Sequence, residues 1–448
     1  MSNLVSTFNQ KNAPYFLDEN WTWYYWKDII SSYQQGLIRS NSELNEIDGI
    51  DYFKMNFINE NGTYTFNGLP KTFATSEEID NYKIKNGDFF INVRNSKELV
   101  GKSCVVYDVN KNILFNHMLV RINHKEYVTG SFINAYFNTK FGKKLIETCK
   151  KGTTTVIALY QKDLYNIPIP IPKKNILEGI DEIYNSINKK IELNNRINAE
   201  LEAMAKTLYD YWFVQFDFPI VTSSGVEKPY KTSGGKMVYN EILKREIPEG
   251  WEASNLEKIA KLIRGVSYNK GDIEEKLKSD NIRILRATNI TGNQLDLENP
   301  IIVSKKFVNE EQILNKFDIL MTMSSGSIDH IGKNAFYYFE EKVSFGAFCA
   351  KLKANEYFRY FLYLFMQSPF VNATIKNECL GTNINNLNGT MVNSFKTIIP
   401  DKKILKKFNQ IVEPLFDKIG NNLKQNQELS ALRDWLLPML MNGQVKVG

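Results

Sequence analysis

Apolar residues recur at alternating steps of three and four along one stretch of the chain. They are Ile176, Ile180, Ile183, Ile187, Ile191, Ile197, Leu201, Met204, Leu208 and Tyr211, with Asn194 at one seam position. This spacing predicts an amphipathic helix over residues 173–213, with Pro219 beyond its end. A second run over 401–441 repeats the period, and Pro414 inside it predicts a kink or a restart. Each run of about 40 residues would measure roughly 60 Å if straight. One small domain cannot cover a stripe of that length, so the two runs are expected to pack on each other as an antiparallel pair. Asn194 and Asn422 fall at matching seam positions. A polar residue inside such a seam fixes register; one that faces solvent where the seam drifts does nothing. Residues 14–172 carry short β-like runs, DFFINV, SCVVY and HMLVRI, broken by Asn and Gly, and residues 251–400 repeat that character. The stretch 219–250, with SSG and SGG, reads as a linker or extended loop.

The chain is written twice. IPIPKKNILEGIDEIYNSINKKIELNN, from Ile169, aligns without a gap on TIIPDKKILKKFNQIVEPLFDKIGNNL, from Thr397. Pro172 matches Pro400, Ile183 matches Ile411, Ile191 matches Ile419 and Leu201 matches Leu429, always 228 positions apart. Upstream, Val100–Tyr107 (VGKSCVVY) resembles Ile331–Tyr338 (IGKNAFYY), and Trp21 resembles Trp251. A nearly constant offset over half the chain means two copies of one unit, each a mixed segment followed by a long helix.

Composition narrows the classes without choosing among them. With 448 residues, 43% hydrophobic and 24% charged, the chain suits about three globular domains or fewer. No apolar run is long enough to span a membrane, and MSNLVSTFNQKNAPYF has no basic-then-apolar secretory pattern. Cys104, Cys149, Cys349 and Cys379 lie far apart, which suits reduced thiols in a cytoplasm and opposes a zinc site. Three histidines, His117, His124 and His330, leave little for His-based chemistry. A net charge of +6 permits an anionic partner without demanding one. The 13% aromatic content suits core packing before base stacking.

Motifs that resemble catalysis fail on inspection. Asn12-Ala13-Pro14-Tyr15 resembles an amino-methyltransferase tetrapeptide but has one proline where two are typical, with no Gly-rich cofactor loop before it. Gly101-Lys102-Ser103 and Gly332-Lys333-Asn334 lack the first glycine or the hydroxyl of a phosphate loop. They are better read as a repeated turn that projects a lysine. GKKLIETCKKG reads as a solvated helix face or as a phosphate-contacting surface.

Two further stretches carry a family resemblance. ELEAMAKTLYDYWFVQFDFP (Glu200–Pro219) and KPYKTSGGKMVYNEILKREIPEGW (Lys228–Trp251), with the IPIP and IIP exits and the duplicated layout, resemble type I restriction–modification specificity (S) subunits. The resemblance covers essentially the whole chain. It implies an α+β fold with two similar target recognition domains, over 1–172 and 249–400. A central conserved helix over 173–216, a linker over 217–248 and a C-terminal conserved helix over 401–448 complete the layout, the two helices packing as an antiparallel coiled-coil-like pair about a pseudo-twofold. Pro414 and the aromatic start WTWYYW (Trp21–Trp26) depart from the pattern.

The resemblance also implies a cytoplasmic, non-catalytic DNA-reading subunit. Its partners would be double-stranded DNA, two modification (M) subunits and restriction (R) subunits, with no membrane. S-adenosylmethionine, ATP and Mg are expected on those partner subunits, and no cofactor on this chain. A duplicated reader implies a bipartite site with one domain per half-site. Base reading uses Arg for guanine and Asn or Gln for adenine. Candidates in turns of the two copies are Lys54, Arg94, Asn95 and Lys102, then Arg283, Arg286, Asn289, Ser324, Ser325 and Lys333. Each is equally open to a phosphate contact or a plain surface role. Gly152-Thr153-Thr154 and Gly381-Thr382-Asn383 are also repeat-equivalent, as phosphate-binding or structural turns. The competing reading is a coiled-coil scaffold or adaptor without sequence-specific DNA binding.

Overall fold

A computed structural model describes residues 17–445, except 108, 153–155, 222–224, 327–329, 356 and 380–385. Asn12–Tyr15, Thr153, Thr154 and Gly381–Asn383 lie outside the described residues. Two compact units divide the chain, one formed by 1–193 with 426–448 and the other by 194–425.

In the first unit, a four-stranded antiparallel sheet runs in the order Ile30–Gln35, Leu119–His124, Phe89–Asn92, Ser103–Val105. Ile50–Phe53 pairs antiparallel with Lys71–Thr72 and parallel with Ile113–Phe115. Trp21–Tyr25 pairs with Pro168–Pro172, which carries the IPIP exit. Prolines are tolerated there because the strand is an edge, and Ile169 and Ile171 between them are buried.

The second unit repeats this wiring. Its four-stranded sheet is Ala260–Arg264, Cys349–Ala354, Ile319–Thr322, Asn334–Phe336, and Asn281–Leu285 again pairs parallel with Val343–Phe345. Buried ion pairs repeat with it. Arg121 Nη1 lies 3.0 Å from Asp88 Oδ2, and Lys351 Nζ lies 3.2 Å from Asp318 Oδ2. The Gly-Lys turns repeat for a steric reason. Gly101 and Gly332 have φ of 92° and 77°, and a Cβ on either would run into Ile146 or Ile375. The GKKLIETCKKG run forms an amphipathic helix over Lys140–Cys149, with Lys143 and Lys144 exposed and Ile146 buried.

Each unit also holds one half of each long helix. The first long helix is Lys174–Tyr209, ending in a wider turn over Asp210–Val214 that buries Trp212 and Phe213. The second is Lys402–Met441, which neither ends nor restarts at Pro414. The halves pack antiparallel. In the first unit Arg433 Nη1 donates to Asn188 Oδ1 at 3.1 Å. In the second, Asn194 Nδ2 donates to Gln425 Oε1 and Asn422 Nδ2 donates to Asn198 Oδ1, both at 2.8 Å. Asn194, Asn198 and Asn422 are all buried, which agrees with the register role rather than a solvated one. The buried stripe follows Leu177, Ile180, Tyr184, Ile187, Ile191 and Asn194, then shifts by one residue to Asn198, Ala205 and Tyr209. Met204 and Tyr211, placed in the seam by the sequence period, are exposed. A strict 3.5 repeat drifts around a helix of 3.6 residues per turn, which accounts for the shift.

The stretch expected to be a linker or extended loop is more organised than that. Pro219–Val221 pairs with Glu227–Pro229, and Met237–Asn240 pairs with Arg245–Pro248. Phe218 stacks on Tyr230 and on Trp251, with centroids 4.7 and 4.9 Å apart, which fastens these hairpins to the second unit's core.

Candidate nucleic-acid interface

In each unit a short turn leads from the parallel strand into the four-stranded sheet. In the first unit it is Asn116–His117–Met118. Asn116 N donates to Phe53 O at 2.9 Å, His117 N to Leu37 O at 3.0 Å, and Gln35 Nε2 to His117 O at 2.8 Å. Val93 N donates to Met118 O at 2.9 Å, which brings the start of the Arg94-Asn95 strand against the same turn. Lys54 follows Phe53 and therefore emerges beside Asn116. Gln35 and Arg94 are exposed, while Lys54, Asn95, His117 and Met118 are half-buried. The His117 imidazole is held below the usual histidine range, first by burial and then by the charge of Arg94.

In the second unit the turn is Gly346–Ala347–Phe348, with three corresponding anchors. Gly346 N donates to Leu285 O at 2.8 Å and Arg264 Nη2 to Ala347 O at 3.2 Å. Met323 N and Ser324 N both donate to Phe348 O, at 2.8 and 3.2 Å. Arg286 follows Leu285, and Ser325 follows Ser324. Gly36 and Gly265 let the neighbouring strand approach. A Cβ on either would collide with the turn's backbone carbonyls.

Six of the ten residues singled out from the sequence thus gather at equivalent places: Lys54, Arg94 and Asn95 in one unit, Arg286, Ser324 and Ser325 in the other. Lys102 and Lys333 sit on the adjacent Gly-Lys turns. Lys102 Nζ is 3.6 Å from Glu60 Oε1, and Lys333 Nζ is 3.3 Å from His330 Nδ1. Two residues fall elsewhere. Arg283, in mid-strand, forms an ion pair with Glu341. Asn289 is buried, accepts from Arg286 N at 2.9 Å, and donates to Asp296 O and Glu298 O at 3.0 Å, so both amide donors are spent on closing a loop. Sequence reasoning missed Gln35, His117 and Met118 with their mates Arg264, Ala347 and Phe348. The signal available was the shared Gly36/Gly265 and Phe115/Phe345 at the repeat offset.

A rigid turn ringed by guanidinium, ammonium, amide and hydroxyl groups offers the donor types that read base edges, flanked by cations for phosphates. No helix among the described residues is long and apolar enough to cross a membrane.

The family model of the type I restriction modification DNA specificity domain matches this chain twice, over residues 18–203 and 248–431. The MjaIX specificity subunit of a type I restriction enzyme from Methanocaldococcus jannaschii is 27% identical over 330 residues, covering 72% of this chain and 71% of its own. The EcoKI specificity subunit from Escherichia coli is 30% identical over 205 residues, covering 45% and 44%. The crystal structure of a type I restriction–modification S subunit from M. genitalium shares the fold, with a TM-score of 0.51 and 16% identity over 98% of this chain and 99% of that one.

Proposed function

This chain belongs to the type I restriction–modification DNA specificity family, and from that premise we infer that its two units each read one half of a bipartite duplex site. It is a DNA sequence specificity subunit. The observation that carries the half-site reading is the equivalence of the two turns. Corresponding anchors hold Asn116–Met118 and Gly346–Phe348, while the side chains around them differ. One scaffold with two sets of reading groups is what a non-palindromic bipartite site requires.

In this reading the chain carries no catalytic step and directs subunits that do. Two M subunits would bring S-adenosylmethionine chemistry, and R subunits would bring ATP and Mg for cleavage, all in the cytoplasm. The antiparallel helix halves leave charged faces open for docking: Glu178, Glu182, Lys189 and Lys190 are exposed on the first long helix. Selection of duplexes from a random pool by this chain with its M partner tests the reading. Enrichment of two short elements at fixed spacing, lost at high salt, is expected. Equal, weak retention of all sequences would favour the scaffold.

A further inference from the structure

We propose that Phe348 reads a thymine methyl group in the half-site recognised by the second unit. The inference rests on the reading above and adds a ligand group to it. Phe348 is 69% exposed, although it is a large aromatic at a turn pinned on every side. Its carbonyl takes two backbone N–H groups, from Met323 and Ser324. Cys349 N closes the turn on Gly346 O at 2.8 Å, and Arg264 holds the carbonyl of Ala347 between them. The ring therefore has a fixed base and a free face.

A lone exposed aromatic is ordinary on a protein surface. The neighbourhood of this one is not. Arg264 bonds the turn's Ala347 carbonyl, Arg286 follows the Leu285 whose carbonyl takes Gly346 N and itself reaches Asn299 O at 3.4 Å, and Ser324 and Ser325 adjoin the turn. Guanidinium groups suit the guanine edge, hydroxyls suit any base, and the one apolar group on a base edge in the major groove is the thymine methyl. A polar, cationic reading surface that carries one rigid ring matches a sequence with guanine beside an A·T pair. The first unit has Met118, half-buried, at the corresponding place, beside Gln35 and Asn95. The two half-sites are thus read by different chemistry, and the methyl contact belongs to the second.

The test uses the complex of this chain with its M partner on the duplex selected above. Arg286→Ala identifies the half-site of the second unit as the one whose specificity relaxes. Each thymine there is then replaced singly by deoxyuridine, which removes only the methyl. At one position the replacement should weaken wild-type binding about fourfold, the worth of one buried carbon. It should have no effect on Phe348→Ala, whose binding to the unmodified duplex is already weaker by at least that factor. Phe348→Leu, which keeps an apolar tip, should retain part of the discrimination. A second half-site without any A·T pair, an absence of deoxyuridine effects, or an equal effect in wild type and Phe348→Ala would each overturn the proposal. Failure to select any duplex would instead overturn the half-site reading itself.

Discussion

Arg283 and Glu341 form an ion pair with the polarity of its counterpart reversed. At the corresponding strand positions of the first unit, Asp51 pairs with Lys111. Both pairs bridge the residues that open the parallel strand pairing, Asp51 to Ile113 and Arg283 to Val343. Preserving the pair while exchanging its charges marks a structural tie.

Arg283→Ala should therefore leave the recognised sequence unchanged. The pair is more than a third exposed on both sides, so its loss should cost under about 1 kcal/mol of stability. Urea unfolding and duplex selection with the variant check the two halves of this expectation. An altered sequence preference would return Arg283 to the reading surface.

The buried pair is a different case. Lys351 and Asp318 are almost wholly enclosed, and Lys351 Nζ also donates to Ile313 O at 2.7 Å. Asp318→Ala strands the ammonium and should cost about 3–5 kcal/mol. Lys351→Arg copies Arg121, which fills this place in the first unit, and should cost far less. Denaturant melts showing the two variants equally destabilised would contradict the equivalence of the pairs.

The amide seam gives a non-additive prediction. Asn198→Leu leaves the buried Asn422 amide without its acceptor and should cost about 1–3 kcal/mol. Asn198→Leu with Asn422→Leu removes both partners and should cost little. A double variant as unstable as the sum of the singles, in a double-mutant cycle of unfolding free energies, would rule out the direct bond.

Glu202, on the first long helix, supplies a pH dependence. Burial pushes its carboxyl up to about 7, against a smaller opposing effect of the hydrogen bond from Asn293. In the unfolded chain it titrates near about 4.3. The folded state therefore holds a proton that the unfolded state has released. Stability from this group is complete below about pH 4 and declines as pH rises to 7, by about 4 kcal/mol in all. Glu202→Gln keeps the acceptor for Asn293 and removes the titration. Its melting temperature should exceed that of the wild type at pH 8 and approach it below about pH 4. An identical difference at both pH values would contradict the shift.

The duplication was legible because it is carried by apolar spacing and by residues with no substitute. Leu177, Ile180 and Ile191 and their repeat mates Leu405, Phe408 and Ile419 are buried, and Gly101 and Gly332 occupy a conformation that a side chain would block. The lower half of the helix seam was less legible, because the 3.5 period drifts off the buried face beyond Asn194. The hairpins over 219–248 hid behind Gly and Ser, since their stability comes from Phe218, Tyr230 and Trp251 stacking across the fold. The candidate turn was hardest. His117-Met118 and Ala347-Phe348 share no chemistry, and only their backbone anchors are alike. Asn289 is the converse case, since a sequence does not show whether an amide's donors are already spent on the backbone.

The claim that one unit reads one half-site is tested most directly by methylome sequencing of a host that carries this chain with its M partner, in three versions: wild type, Lys54→Ala and Arg286→Ala. The wild type should produce a modified motif of two short elements at a fixed spacing, absent without the chain. Lys54→Ala should relax bases in one element only, and Arg286→Ala bases in the other only. A contiguous motif, or two variants that relax the same element, would contradict the account.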